Sequence, residues 1–209
     1  MSVFDPNKAT SADEAGQIIP RAEFRVFGQG IIDIVGISMW NAQAKLFKIR
    51  QSSETYVLSC HTNEANVKIR DGLLDIKTKV GETEEGYEIF QPRGKFQFPV
   101  KKEDLATIFE HLQVAVKIEQ PVCTFDEFLD LVADSPDLTA VAVDKERYGF
   151  SVDGIICEYG EILFNGALVE TACVESEDYA AMKSVIDKLE IAAFENTNYL
   201  RAAKEIVGM

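Results

Sequence analysis

Along most of this chain, apolar and polar residues alternate in short runs broken by turn residues, the mark of successive half-buried strands. Residues 1 to about 20 are polar without periodicity, so a loose arm is expected there, ahead of one folded unit over 21–209. Glu23 to Phe27 alternates as a short strand, Gly28-Gln29-Gly30 breaks it, and Ile31 to Met39 predicts a helix. From Glu54 strand follows strand: Thr55 to Cys60, Asn66 to Arg70, Leu73 to Val80 and Tyr87 to Gln91, with Gly81 to Gly86 as an acidic, turn-like link. Pro99 precedes a helix whose Leu105, Ile108, Phe109 and Leu112 share a face. A second helix begins at Thr124, where Glu127 completes a capping box, and turns Phe125, Phe128, Leu129 and Val132 inward. Beyond Pro136 come strands Leu138 to Val152, Ile155 to Asn165 and Ala167 to Glu175, joined by the hairpin signals Asp153-Gly154 and Asn165-Gly166. Two helices follow, around Asp178 to Leu189 and Asn196 to Val207. The second has Asn196 as its cap and Tyr199, Leu200, Ala203 and Ile206 as its buried stripe. The pattern predicts an α+β protein with antiparallel strands and flanking helices.

Composition narrows the functions. With 209 residues, 46% of them hydrophobic, the chain can bury a full core. Its net charge of -14 argues against coating nucleic acid, so any anion site must be a local basic pocket. No basic segment followed by an apolar run opens the sequence, and no apolar run approaches the ~20 residues that span a bilayer. Cys60, Cys123, Cys157 and Cys173 lack C-x-x-C spacing and read as free buried thiols of a cytosolic protein. With only His61 and His111, a His/Cys zinc site is not expected. Gly28-Gln29-Gly30 is no dinucleotide fingerprint, because Asp33 stands where the third glycine should be.

The informative chemistry lies in Val67 to Lys79, a basic hairpin in an acidic protein. Alternation across Asp71-Gly72 puts Lys68 with Arg70, and Lys77 with Lys79, on one face, and Val67, Ile69, Leu74 and Ile76 on the other. A solvated sheet face is the plain reading of such a hairpin. Like charges set across strands repel, however, so the cluster calls for carboxylates or a polyanion opposite it. Lys145-x-Arg147 echoes Lys68-x-Arg70, which would let both pairs face one cavity. Glu175 and Glu177, two apart, share a face if extended and suit a hard divalent cation; the other reading is an acidic first turn of the next helix. Glu158 and Glu161 differ by three and cannot both enter one cavity without a bulge.

Together these segments resemble the CYTH domains, or triphosphate tunnel metalloenzymes. Val67-Lys68-Ile69-Arg70 resembles the family's basic strand, Asp75-Ile76-Lys77-Thr78-Lys79 its lysine strand, Lys145-Glu146-Arg147 its later K-x-R strand, and Val174-Glu175-Ser176-Glu177 its closing E-x-E. The resemblance implies an antiparallel eight-stranded β-tunnel or barrel. It implies a bound triphosphate, polyphosphate or nucleoside triphosphate, and Mg2+ or Mn2+. Phosphates would be held by Lys68, Arg70, Lys77, Lys79, Lys145 and Arg147, with Arg25 and Arg93 as lesser candidates. Glu175, with Glu23 or Glu177, would hold the metal, and Glu175 would be catalytic. The family's N-terminal E-x-E-x-K signature is degraded here to Glu23-Phe24-Arg25-Val26-Phe27: Glu23 matches, Arg25 replaces the second glutamate and Phe27 the lysine.

Two functions follow, a metal-dependent triphosphatase (less readily an adenylyl cyclase) and a non-catalytic binding or interaction module that kept the tunnel but lost the metal site. A third reading, an external RNA-contact hairpin, ranks last because Val67 to Lys79 contains no aromatic residue for stacking.

Overall fold

The computed structural model describes residues 20–209, so the expected arm lies, except for Pro20, outside the described residues. The elements in chain order are β1 (Ala22–Gly28), α1 (Ile31–Asn41), β2 (Lys45–Ser59), β3 (Thr62–Arg70), β4 (Leu73–Glu82) and β5 (Glu88–Gln97). Then come β6 (Val100–Lys101), α2 (Lys102–His111), β7 (Val122–Cys123) and α3 (Phe125–Ala133). The chain ends in β8 (Leu138–Val152), β9 (Ile155–Phe164), β10 (Ala167–Ser176), α4 (Tyr179–Lys188) and α5 (Tyr199–Val207).

Eight strands close into an antiparallel barrel in the order β1-β10-β9-β8-β2-β3-β4-β5, the ring completed where Ala22 and Glu23 meet Ile89 and Glu88. Strands β6 and β7 form a separate two-stranded pair. Asp71-Gly72, Asp153-Gly154 and Asn165-Gly166 all take positive φ at both positions. Turns of that kind match the twist of the strands they join.

The barrel is inverted relative to a soluble sandwich: much of its interior is charged, and its apolar strand faces point outward under helices. Val57, Val67, Ile69, Leu74 and Ile76 are buried with Leu105, Ile108 and Phe109 of α2 and Phe128 and Val132 of α3. On the other side Phe24, Val26, Phe150, Ala172 and Val174 pack with Ile31 and Val35 of α1 and Met182, Val185 and Ile186 of α4. A third cluster joins Tyr56, Leu58, Val141, Val143, Ile162 and Phe164 to Tyr199, Leu200, Ala202 and Ala203. Helix α5 thereby plugs one end of the barrel.

Several sequence expectations shift. Strand β2 begins at Lys45 rather than near Thr55, because a bulge between Leu46 and Lys48 hides the alternation of its first half. Strand β5 runs past Pro92 to Gln97, with Pro92 standing beside a register shift where the ladder tolerates a missing donor. The capping box of Thr124 and Glu127 is present, but Phe125, at 40% exposure, lies outside the core. Asn198, not Asn196, caps α5, accepting from the amides of Leu200 and Arg201. Asn196 instead accepts from the Arg25 amide at 3.0 Å and donates to the Gly86 carbonyl at 2.8 Å, tying the approach of α5 to β1. Cys123, Cys157 and Cys173 are buried free thiols, whereas Cys60 is exposed.

Candidate functional site

Strand pleating carries residues of every barrel strand into one cavity of about 490 Å³. Nine cations line it (Arg21, Arg25, Lys48, Arg50, Lys68, Arg70, Lys77, Lys145 and Arg147) against four carboxylates, Glu23, Glu88, Glu158 and Glu175. Register explains the grouping. Arg70 stands opposite Glu54, Lys68 opposite Tyr56, Ser52 opposite Lys145 and Arg50 opposite Arg147.

Glu54 is the hub. Its side chain is fully buried, one oxygen lies 3.0 Å from both Lys68 Nζ and Lys145 Nζ, and the other lies 3.7 Å from Arg70 Nη1. Burial works to raise its pKa, yet the two lysines overcome it and hold the carboxyl down at about 2. Lys145 donates to the Tyr56 hydroxyl at 2.7 Å, and its Nζ stands 4.0 Å from the centre of the Tyr199 ring. Burial and then the Lys68 charge drive the Lys145 ammonium well below the usual lysine range, against the pull of Glu54.

A second constellation surrounds Arg25, which is 4% exposed. Its guanidinium grips Glu23 with two hydrogen bonds, 2.7 and 3.1 Å, and donates to Thr171 Oγ1 at 3.3 Å. It also reaches Glu158 at 3.5 Å and lies 4.7 Å over the Tyr199 ring. Burial raises the Glu23 pKa, but the charge and hydrogen bond of Arg25 prevail and leave it below the usual range. Glu175 faces Glu23 across the strand pair; burial and then the Glu23 charge push its pKa up, while Arg21 at 3.4 Å opposes.

Gly160 lets Arg147 lie where it does. A Cβ at Gly160 would come within 2.3 Å of the Glu146 carbonyl oxygen and 3.1 Å of Arg147 Cγ. Arg147 reaches Glu158 at 3.4 Å, and its buried Nε has no hydrogen-bond partner.

Of the residues singled out in the sequence, Glu23, Arg25, Lys68, Arg70, Lys77, Lys145, Arg147 and Glu175 line the cavity. Lys79, Arg93 and Glu177 are not among its lining residues. Lys79 is taken up by Glu82 and Glu88, exposed Arg93 donates to Thr78, and Glu177 meets Arg21 at 3.7 Å. Asp178 is the N-cap of α4, whose first turn holds no acidic residue, and Glu175 lies on β10, so the acidic-first-turn reading does not hold for Glu175 and Glu177. Glu158 enters the cavity and Glu161 stays exposed, in keeping with their spacing. With Lys68 and Arg70 turned into the barrel, the hairpin does not offer them as an external surface.

The residues do not fit a magnesium or manganese ion held as the CYTH resemblance implies. Glu23 is gripped by Arg25, Glu158 by Arg25 and Arg147, and both Glu175 and Glu177 by Arg21. Glu54 and Glu88 are likewise paired with cations. Among the described residues, no three of these carboxylates bring oxygens within 4.8 Å of one another. A hard cation held by protein needs at least one or two carboxylates free to face it, and here arginine and lysine side chains already hold them.

Sequence reasoning missed Glu54, Arg21, Lys48, Arg50 and the aromatic pair Tyr56 and Tyr199. Glu54 and Tyr56 share the alternation of one strand, so extending the predicted strand by a single residue would have found Glu54. Arg21 and Tyr199 enter through register and the docking of α5, which no local pattern encodes.

No family model matches the sequence, and no curated protein matches it. Solved structures do resemble the chain. A candidate adenylyl cyclase from Hippeastrum, described as revealing a dominant triphosphatase activity, shares 11% identity at a TM-score of 0.49, covering 90% of this chain and 95% of its own. A conserved hypothetical protein from Pyrococcus furiosus shares 16% at 0.45, covering 86% and 99%. A candidate adenylate cyclase from Bacillus halodurans shares 12% at 0.44, covering 88% and 96%. The likeness is loose, and the barrel rests on its own strand pairing. Among the described residues no helix is long and apolar enough to cross a membrane.

Proposed function

We propose that the barrel binds a linear polyphosphate-type anion, a tripolyphosphate or nucleoside triphosphate, without a divalent metal and without hydrolysing it. The observation that carries this reading is the excess of cations in the cavity of a protein whose net charge is -14. Lys48, Arg50 and Lys77 line that cavity with no ion pair among the described residues, and Arg147 Nε is a spare buried donor. Cations converging from several strands, Lys48 and Arg50 half-buried and Lys77 exposed, are what a chain of phosphates needs to replace its counterions. In this reading Lys68, Arg70, Lys77 and Arg147 contact phosphate, with Lys48 and Arg50 joining them. Lys145 is held for Glu54, and Arg25 stands in for the metal beside Glu23.

Metal-assisted hydrolysis at Glu175 is the second reading. The paired state of Glu23, Glu158 and Glu175 weighs against it. Phosphate release from tripolyphosphate, ATP and thiamine triphosphate, assayed with Mg2+ or Mn2+ and a Glu175→Gln control, separates the two. The expected result is no metal-dependent release by the wild type alongside a higher melting temperature when tripolyphosphate is added. Metal-dependent release that the control abolishes would overturn the binding reading.

A further inference from the structure

Outside the barrel cavity, the β2–β3 turn brings a different chemistry together. Cys60 and His61 form that turn, and Asp137, in the link from α3 to β8, lies against it. The Asp137 Oδ1 atom stands 3.5 Å from Cys60 Sγ and 3.5 Å from His61 Nε2, and the three groups fall within 4.8 Å of one another. Cys60 and His61 are exposed and Asp137 is half-buried, so solvent reaches all three. Separations near 3.5 Å are those of ligand atoms around a tetrahedral zinc ion. Bonds of about 2.0–2.3 Å to the metal put the ligands roughly 3.3–3.7 Å apart.

The scaffold holds this arrangement before any ion arrives. The Cys60 amide donates to the Asp137 backbone carbonyl at 3.0 Å, fixing the link to the turn. Ser59 donates its hydroxyl to the Leu112 carbonyl at 2.6 Å and accepts from the His61 amide at 3.2 Å. Lys204 Nζ is held 2.9 Å from the Thr62 carbonyl, at the barrel end plugged by α5. The turn is therefore anchored on three sides.

We propose that Cys60, His61 and Asp137 form a surface site for a thiophilic divalent cation of the Zn2+ type, with a fourth position open to water or an outside ligand. One thiolate, one imidazole and one carboxylate make a borderline-soft donor set suited to zinc. The alternative, a cysteine nucleophile with a His–Asp relay, has the wrong geometry. Here Asp137 takes both contacts, and the imidazole does not stand between thiol and carboxylate. On binding, the Cys60 S–H bond breaks, its proton goes to solvent, and the sulfur bonds the ion. Sequence spacing could not find the site, because its third ligand comes from a distant strand link.

The test is titration of the whole protein with Co2+ under reducing, anaerobic conditions, followed by displacement with Zn2+. The expected result is a thiolate-to-cobalt charge-transfer band that saturates at one equivalent and collapses on adding zinc. In Cys60→Ser the band is absent, and in Asp137→Asn the affinity falls at least about tenfold. Both variants should melt near the wild type, since the Cys60 side chain is exposed and the Asp137→Asn change leaves the backbone link intact. No band in the wild type, or a band that persists in Cys60→Ser, would overturn the site.

Discussion

Replacing Glu54 by glutamine removes the charge shared by Lys68, Arg70 and Lys145. Breaking a buried pair leaves the partner charges uncompensated, so Glu54→Gln should cost about 3 kcal/mol or more in denaturant unfolding. An acid whose folded pKa lies below its unfolded value stabilises the fold above that value. Glu54 therefore contributes fully above pH 4.5, and its share is lost as pH falls from there towards about 2. Unfolding free energy measured against pH should drop through that window in the wild type and drop less in the variant. Equal slopes would remove Glu54 from this role. On sequence grounds the repulsion within the basic hairpin calls for carboxylates or a polyanion opposite it, and Glu54 is such a carboxylate, which makes Lys68, and Lys145 from β8, structural partners as well. Arg25 has its own test. In Arg25→Gln, Glu23 loses its partner while Glu158 keeps only Arg147, and Mg2+ or Mn2+ binding should appear by calorimetry where the wild type shows none. Equal metal binding in both proteins would mean Arg25 does not occupy the cation's place.

At the scale of elements, the hairpins were legible because Asp-Gly and Asn-Gly encode their turns locally and alternation tells one face from the other. That logic correctly put Lys68, Arg70, Lys145 and Arg147 on a common interior. Bulges defeat it: the one in β2 hid Lys48 and Arg50, since one extra residue flips every side chain that follows. The plug was illegible for another reason. The buried stripe of α5 was readable, but that it fills the barrel end is a tertiary fact. Asn198 secures this plug, capping α5 and donating to Glu88 at 2.9 Å and to the Asn63 carbonyl. Asn198→Ala should cost about 1–2 kcal/mol in chemical denaturation. A neutral substitution would show that α5 is held by its apolar face alone.

The whole molecule carries an acidic exterior around a basic interior. Such a distribution repels polyanions at long range and binds them only once they enter the barrel. Added salt should thus speed entry while weakening the bound state, since it screens both fields. Stopped-flow binding of tripolyphosphate across ionic strengths checks this, with a rising association rate and a falling affinity as the expected pair. A falling association rate would place the steering field at the surface instead.

The most direct measurement is calorimetric titration of the protein with tripolyphosphate in the presence of a chelator, repeated with Mg2+ and with an Arg50→Ala/Lys77→Ala variant. Metal-free binding of one anion per chain, unchanged or weakened by magnesium and lost in the variant, is the predicted result. Binding that requires magnesium, or that the variant retains in full, would contradict the account.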